Sequence, residues 1–459
     1  MRLGLKILLV LAMTLAILVP LTMIRGTINE RQRYRVQAVD SIARSYAGAQ
    51  SFVGPVLVVP FVETVEVEEK DAQGVTHKVL RAQDGRWTYF PETLDLGGVL
   101  KPGTRKRGLH EVRVYEWQGR ADARFDATVP ADTDPLRPRR IGRPWLSYGM
   151  ADVRGLMGAP RLRVAGADIA LEQGLGSRDG VGVHARLAVP RAGERLAFDT
   201  RLDFVLGGTE SLALVPLGKR NRVELASTWP HPQFGGSFLP RTHAIDGKGF
   251  RARWEVSSLA TSAQAQYNAG RTAPRVVNDA AGSHGAGADG IGVEGLDAIG
   301  ISLVDPVNVY SQADRASKYG LLFVLLTFVG FFMFELIKQL PIHPIQYGLV
   351  GLALAIFFLL LLSLSEHIAF ALAYLIASIA CIGLLGFYLS HVLRSRARGL
   401  GFAAMLATLY AALYGLLVSE DNALVLGSGL LFLILAAIMV VTRRVDWYAL
   451  GRGHAGSVR

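Results

Sequence analysis

The chain has 459 residues, 51% of them hydrophobic, with a mean hydropathy of +0.30, one cysteine and a net charge of +11. It is too apolar for an ordinary soluble protein, and a lone Cys381 excludes a disulfide framework or a cysteine-based zinc site. The basic residues are scattered, apart from Arg105, Lys106 and Arg107 and the group Arg137, Arg139, Arg140 and Arg143, which argues against nucleic-acid binding and fits a surface near an anionic bilayer.

The hydrophobic excess sits at the two ends of the chain. The first apolar run, about Leu5–Ile24, is preceded by Arg2 and Lys6 as in a signal peptide. Its flank VPLTMIRGTINERQRYR has bulky residues where a cleavage site needs small ones, so the run reads as an uncleaved signal anchor, residues 1–25. The following TINERQRYRVQAVDSIARSYAG (27–48) reads as an amphipathic helix with Val36, Val39, Ile42 and Ala43 on one face.

Residues 26–318 then form a polar, glycine-rich domain with that helix as a stalk. Period-two alternation is clear from Val62 in VLVVPFVETVEVEE (56–69), in LHEVRVYEW (109–117) and in RLAFDTRLDFVL (195–206), with Gly/Pro/Asp-rich turns between such runs. The pattern predicts a mostly antiparallel, sandwich-like β domain, with two subdomains as an option. GLHEVRVYEW (108–117) and GFRARWEV (249–256) echo each other, by duplication or by chance.

WPHPQFGGSFLP (229–240) is the most distinctive stretch outside the apolar runs. Trp229 and His231 are candidate functional residues there; a rigid loop packed on a sheet is the simpler reading. His231 and nearby His243 make at most half a zinc site. Residues 263–295 are rich in Gly and Ala and contain a formal G-x-G-x-x-G at Gly285, Gly287 and Gly290. No buried strand precedes it and no helix follows, so a flexible loop is expected rather than a dinucleotide site. SQADRASKYG (311–320) begins a helix that runs into the second span and is expected to pack beside the stalk of the first.

Five further apolar runs follow, at about Tyr319–Leu336, Tyr347–Leu364, Ile368–Ser390, Leu400–Val418 and Ala423–Thr442, each long enough to span. The expected architecture is six transmembrane helices, one N-terminal anchor plus a five-helix bundle over 319–442, with a basic tail over 443–459. Connections alternate in charge. Lys338 marks one, Arg394, Arg396 and Arg398 another, and Arg443, Arg444, Arg452 and Arg459 the tail, whereas 365–367 and 419–422 carry Glu366, Glu420 and Asp421 and no Lys or Arg. By the positive-inside rule both termini are cytoplasmic and the β domain lies outside.

Glu366 and His367 are the remaining candidates. They fall at an external turn, with Ser365 placed to cap the next helix and the acid in its favoured first turn. A solvated turn is the simplest reading; a proton relay or ligand site, or a metal site, are the alternatives. Glu335 suggests an i,i+3 pair with Lys338, and His343 a loop residue between prolines. Nothing ionisable sits at the centre of a span, which argues against an ion-coupled transporter.

No H-E-x-x-H, P-loop, G-x-S-x-G or kinase set occurs, so no catalytic residue, cofactor or metal is assigned and the chain reads as a non-enzyme. The stretches VGPVLVVP (53–60), WPHPQFGGSFLP (229–240), DRASKYGLLFVLLTFVGFFMFE (314–335), HPIQYGLVGLALAIFFLLLLSLSEH (343–367) and RRVDWYAL (443–450) resemble the CreD family of inner-membrane, cell-envelope-integrity proteins of Gram-negative bacteria, over nearly the whole length. The insert at about 278–295 is longer than the family pattern. The resemblance implies an inner-membrane location and an envelope role in a system whose expression follows a sensor-kinase/response-regulator pair; it supplies no catalytic residues. Three functions stand: a binding protein that engages an envelope component or membrane-protein partner through its β domain, a transporter or flippase-like bundle, and an enzyme acting on envelope polymers. Besides the bilayer, the partner is unidentified.

Overall fold

The computed structural model describes residues 3–70, 76–132, 137–176, 180–271, 273–278, 291–303, 309–338, 343–393, 395–419 and 423–443. A long helix comes first, α1 (Leu3–Ser45), followed by β1 (Gln50–Lys70), β2 (Thr76–Tyr89), β3 (Thr93–Arg107), β4 (His110–Thr128), β5 (Arg140–Ile141), β6 (Trp145–Met150) and β7 (Leu156–Val164). Then come β8 (Ala167–Ile169), β9 (Glu172–Gln173), β10 (Gly182–Arg186), β11 (Arg195–Thr209), β12 (Ser211–Leu214), β13 (Arg220–Ser227), β14 (Gln233–Gly236), β15 (Thr242–Asp246) and β16 (Gly249–Ser257). The short α2 (Ala263–Asn268) precedes β17 (Arg275–Asn278), β18 (Ile291–Glu294) and β19 (Ile299–Ser302). Four long helices and a shorter one close the chain: α3 (Val309–Lys338), α4 (Pro344–Ser365), α5 (Phe370–Val392), α6 (Arg396–Val418) and α7 (Ala423–Thr442).

The chain divides into a helical unit, residues 1–35 with 307–459, and a β unit, residues 36–306, with α1 contributing to both. In the helical unit, α1 and α3 to α6 are long and apolar enough to cross a membrane; in α7 the apolar stretch with described side chains is Val425–Ala436. The predicted anchor and amphipathic stalk are one uninterrupted helix.

Two stripes divide α4. Val350, Leu354, Phe357 and Leu361 are buried, whereas Leu349, Leu352, Ile356 and Leu359 are 44–48% exposed. Apolar residues on both faces are what a helix with lipid outside requires, since only the inward face has protein to pack on. Inside, Phe357 packs edge-on against Tyr374 and Tyr410, Phe323 lies tilted against Tyr410, and the Tyr374 hydroxyl donates to the Tyr410 carbonyl at 2.8 Å. His343 is more than a loop residue: it is the N-cap of α4, accepting from Ile345 N–H while the Gln346 side chain accepts from the His343 backbone, with Pro344 in the first turn.

The β unit holds a nine-stranded and an eight-stranded sheet with mainly antiparallel pairing, and a separate β17–β18 ladder. The larger sheet runs β14-β19-β12-β1-β6-β10-β9, with β2 and β5 also on β1; the smaller runs β15-β16-β13-β3-β4-β11-β7-β8. Parallel pairs, β1 with β12 and β3 with β13, lie at the middle of each. Phe52, Leu57 and Val59 of β1 share one core with Trp117, Leu206 and Trp254 of the smaller sheet. Val53, Val56 and Val58, on the opposite face of β1, pack with Val215, Leu217, Ala263 and Leu296. β1 is therefore covered on both faces, which explains why its first half reads as a continuous apolar run rather than an alternation.

The echoing stretches fall in β4 and β16, which flank the parallel β3–β13 pair. A rotation that superposed one hairpin on the other would keep the strand direction, reverse the lateral order and so turn the buried face outward. They are not a symmetric repeat. At Gly98, opposite Gly119, φ is +147° and a Cβ would lie 2.2 Å from the Gln118 carbonyl and 2.7 Å from Trp117 Nε1, so only glycine fits.

The region expected to be a flexible loop is structured at its flanks. Asp297 accepts from Gln266 Nε2 at 2.9 Å and from Ser262 N–H at 3.0 Å, tying α2 down. Gly285, Gly287 and Gly290 lie outside the described residues, as do Arg394, Glu420, Asp421, Arg444, Arg452 and Arg459.

Candidate functional site

The buried face of α1 carries Ile17, Leu21, Ile24 and Ile28 at alternating spacings of four and three. The next position on that stripe is Arg31. A charge on a buried stripe needs a partner, and Arg31 has one: its Nε lies 3.4 Å from Glu366 Oε1. The Tyr310 hydroxyl, in the first turn of α3, donates to the same oxygen at 3.3 Å. Three helices thus meet at one carboxylate whose side chain is 8% exposed, against 38% for Arg31. Arg25 Nε adds a second α1–α3 tie by donating to Ser317 Oγ at 3.3 Å. The two predicted stalks do pack together.

This geometry differs from the predicted turn. Ser365 ends α4, its Oγ donating to the Leu362 carbonyl at 2.9 Å, and does not cap α5, which starts at Phe370 with Ala369 at the N-cap. Glu366 is the C-cap of α4, where the helix dipole disfavours an acid, and the ion pair with Arg31 offsets that. His367 is exposed, so the two neighbours do not form one site. Glu335 is also buried, on the stripe of Val324, Phe328 and Phe331, and accepts from the Tyr347 hydroxyl at 2.8 Å; the side chain of Lys338 lies outside the described residues. The sequence reading missed Arg31, Tyr310 and Tyr347. The signal was the helical stripe itself, which places Arg31 and Glu335 on faces otherwise made of Ile and Phe.

In the β unit Trp229 is 8% exposed, donates from Nε1 to the His231 carbonyl at 2.8 Å, and carries the Arg113 guanidinium 4.1 Å above its ring. The His231 ring stands edge-on to it and is exposed. Phe234 packs edge-on against Phe250 and Trp254, and Trp254 Nε1 donates to the Phe238 carbonyl. The 229–240 segment is thus seated on the core, but it is not a loop throughout as expected: its middle, Gln233–Gly236, is strand β14, paired with β19 in the larger sheet. No group of three or more His, Cys, Asp and Glu among the described residues could hold a metal.

A different feature stands out by exposure. From Glu63↔Gln83 to Lys70↔Thr76 the strands β1 and β2 pair with each other and, among the described residues, with no third strand. At the base of the ribbon Phe61 stacks on Trp87 at 4.1 Å, with Arg139 beside both rings. Arg139 also pairs with Glu63 and Arg137 with Glu66, and Arg137 first, then Lys78, holds the Glu66 carboxyl below its usual range. Beyond the base Val67, Val79 and Leu80 are 37%, 39% and 56% exposed.

Together these features define a multi-pass membrane protein with a helical unit cross-tied at Glu366 and a large β unit bearing an exposed ribbon. Comparison with known proteins gives a narrower class. Residues 2–448 match the family described as Inner membrane protein CreD, and the chain is 34% identical to the Inner membrane protein CreD of Escherichia coli (strain K12), over 95% of this chain and 91% of that one. The chain belongs to the CreD family of inner membrane proteins. A mutant M1 zinc metallopeptidase from Deinococcus radiodurans of known structure is 12% identical over 36% of this chain and 38% of its own, at a TM-score of 0.20, a likeness too slight to argue from.

Proposed function

We propose that this protein supports envelope integrity in a non-catalytic role, by binding an envelope component or a membrane-protein partner through its β unit. The observation that carries the reading is the β1–β2 ribbon. Unpaired strand edges are templates for another chain, and proteins normally shorten, cover or charge them. This ribbon is long, with Phe61 stacked on Trp87 at its base, and although it carries the pairs Lys78–Glu66 and Arg81–Glu69 it is also apolar at three exposed positions. The β unit is periplasmic and both termini cytoplasmic in this reading, supported by the alternating charge of the connections. A phosphatase active only in the periplasm, fused after the last residue, should be inactive.

The test uses a strain lacking the protein, complemented by wild type or by Val79→Glu/Leu80→Glu at matched membrane levels. Uptake of a membrane-impermeant dye is measured under envelope stress. Loss of the wild-type response with the ribbon variant supports the reading, and a full response overturns it. A second reading, transport through the helical unit, draws on the buried acids Glu335 and Glu366. It requires that a substitution at either acid abolish function while the fold persists.

A further inference from the structure

Among the described residues β2 pairs with β1 alone, so one of its two edges is open. Which backbone groups line that edge follows from one hydrogen bond. The Pro60 carbonyl accepts from Gly142 N–H at 2.8 Å, on the side of β1 where β5 lies. Phe61 pairs with Ile141 of β5 and with Gly85 of β2, so β2 lies on the opposite side. Backbone groups alternate sides along a strand, so the odd-numbered residues from Phe61 to Glu69 exchange hydrogen bonds with the odd-numbered residues of β2. Lys78, Leu80, Ala82, Asp84 and Arg86 therefore aim N–H and C=O at the open edge, one donor and one acceptor every ~6.8 Å. All five residues are exposed.

An extended polypeptide presents N–H and C=O at the same repeat, and a strand edge of this kind takes one as an added strand. The side chains set its charge. β2 carries Lys78, Arg81 and Arg86 against Asp84, and the side chains of Lys78 and Arg81 stay 70% and 64% exposed while paired with Glu66 and Glu69. The neighbour that β2 already holds shows the complement: β1 offers Val65 and Val67 among Glu63, Glu66, Glu68 and Glu69. The β2 of a second copy would instead bring like charges together. The far edge of β1 is a poorer template, because Arg139 and Arg137, leading into β5, lie along it on Glu63 and Glu66.

We propose that the open edge of β2 takes an acidic, extended polypeptide segment of a partner as an added strand. This rests on the reading of the ribbon as the binding element and names the chemistry of what it binds.

The probe is a fluorescent synthetic peptide with the sequence of residues 62–69, VETVEVEE, added to the full-length protein in phosphatidylcholine nanodiscs and followed by anisotropy. Ala82→Pro removes one outward N–H and leaves the β1–β2 ladder whole, whereas Ala82→Val keeps that N–H. The expected result is saturable binding to wild type and to Ala82→Val. Binding should be about tenfold weaker to Ala82→Pro, and about tenfold weaker for a peptide with lysine in place of its glutamates. Lys78→Gln/Arg86→Gln, which leaves the backbone untouched, should weaken binding about fivefold. Unchanged thermal unfolding of each variant, read by tryptophan fluorescence, confirms that the fold persists. No binding to wild type overturns the proposal. So does equal binding to Ala82→Pro, which would mean that the peptide has displaced β1 through the odd-numbered amides, and so does equal binding of the lysine peptide. Dimerisation of the protein alone that Ala82→Pro abolishes would make the occupant a second copy and overturn it too. In cells, the dye response separates this inference from the reading beneath it. If Val79→Glu/Leu80→Glu loses the response and Ala82→Pro keeps it, the ribbon reading stands and strand addition falls. If both keep it while the peptide still discriminates the variants, strand addition stands and the envelope reading falls.

Discussion

Removing the charge of Glu366 or Arg31 should loosen the helical unit by a measurable and coupled amount. At 3.4 Å and an effective dielectric near 20, the attraction is bounded at about 5 kcal/mol. Arg31 is 38% exposed, so solvent screens it and re-solvates it when the acid is lost. Exposed pairs couple by about 0.2–1 kcal/mol, and breaking a fully buried pair costs about 3–5 kcal/mol. With the acid buried and the base half-buried, a coupling of about 1.5 kcal/mol is expected. Arg31→Gln, Glu366→Gln and the double variant form the cycle. Glutamine still accepts from Tyr310, so the cycle isolates the charge pair. Denaturation of the micelle-bound protein, followed by helical circular dichroism, reports the helical unit, because the β unit contributes little helix. A coupling below about 0.3 kcal/mol would refute the argument that α1 is held to α4 by charge rather than by its apolar stripe alone.

Gly98→Ala should destabilise the β unit by about 3 kcal/mol or more, whereas Gly247→Ala, with open space at its Cβ, should change it by less than about 0.5 kcal/mol, both read by tryptophan fluorescence on thermal unfolding. Arg113→Met should cost about 1 kcal/mol and shift the emission of Trp229, with Arg113→Lys intermediate. Asp152 is held below its usual 3.8, first by the Arg154 side chain and, against burial, by the backbone N–H groups of Arg154 and Gly48. Its contribution is present above the unfolded value and lost as pH falls through the folded one. Wild type and Asp152→Asn should therefore differ in stability at neutral pH and converge in acid below about 3.8, and a constant difference would contradict this.

Much of the fold was legible because its signals are local. Six apolar runs announce the helices, and alternation announces strands such as β4 and β11, which over most of their length meet a core on one face and solvent on the other. The pairing of β1 with β12 and of β3 with β13 was not legible, because parallel neighbours are distant in sequence and leave no turn to mark them. At the candidate site, Glu366 was visible as a charge between apolar runs. Its environment was not, because a carboxylate at a helix end looks the same in sequence whether it faces water or an arginine from a helix more than 300 residues away. Trp229 was visible by type, and its partner Arg113 only by structure.

The β unit is proposed to serve the envelope through its exposed ribbon. Dye uptake under envelope stress, in the strain lacking the protein and complemented by wild type, by Val79→Glu/Leu80→Glu, or by Glu366→Gln with His367→Ala, tests it most directly. The ribbon variant should behave like the empty vector, and the Glu366/His367 variant, matched to wild type in membrane level, should restore the response. The opposite pattern would contradict it and move the function into the helical unit.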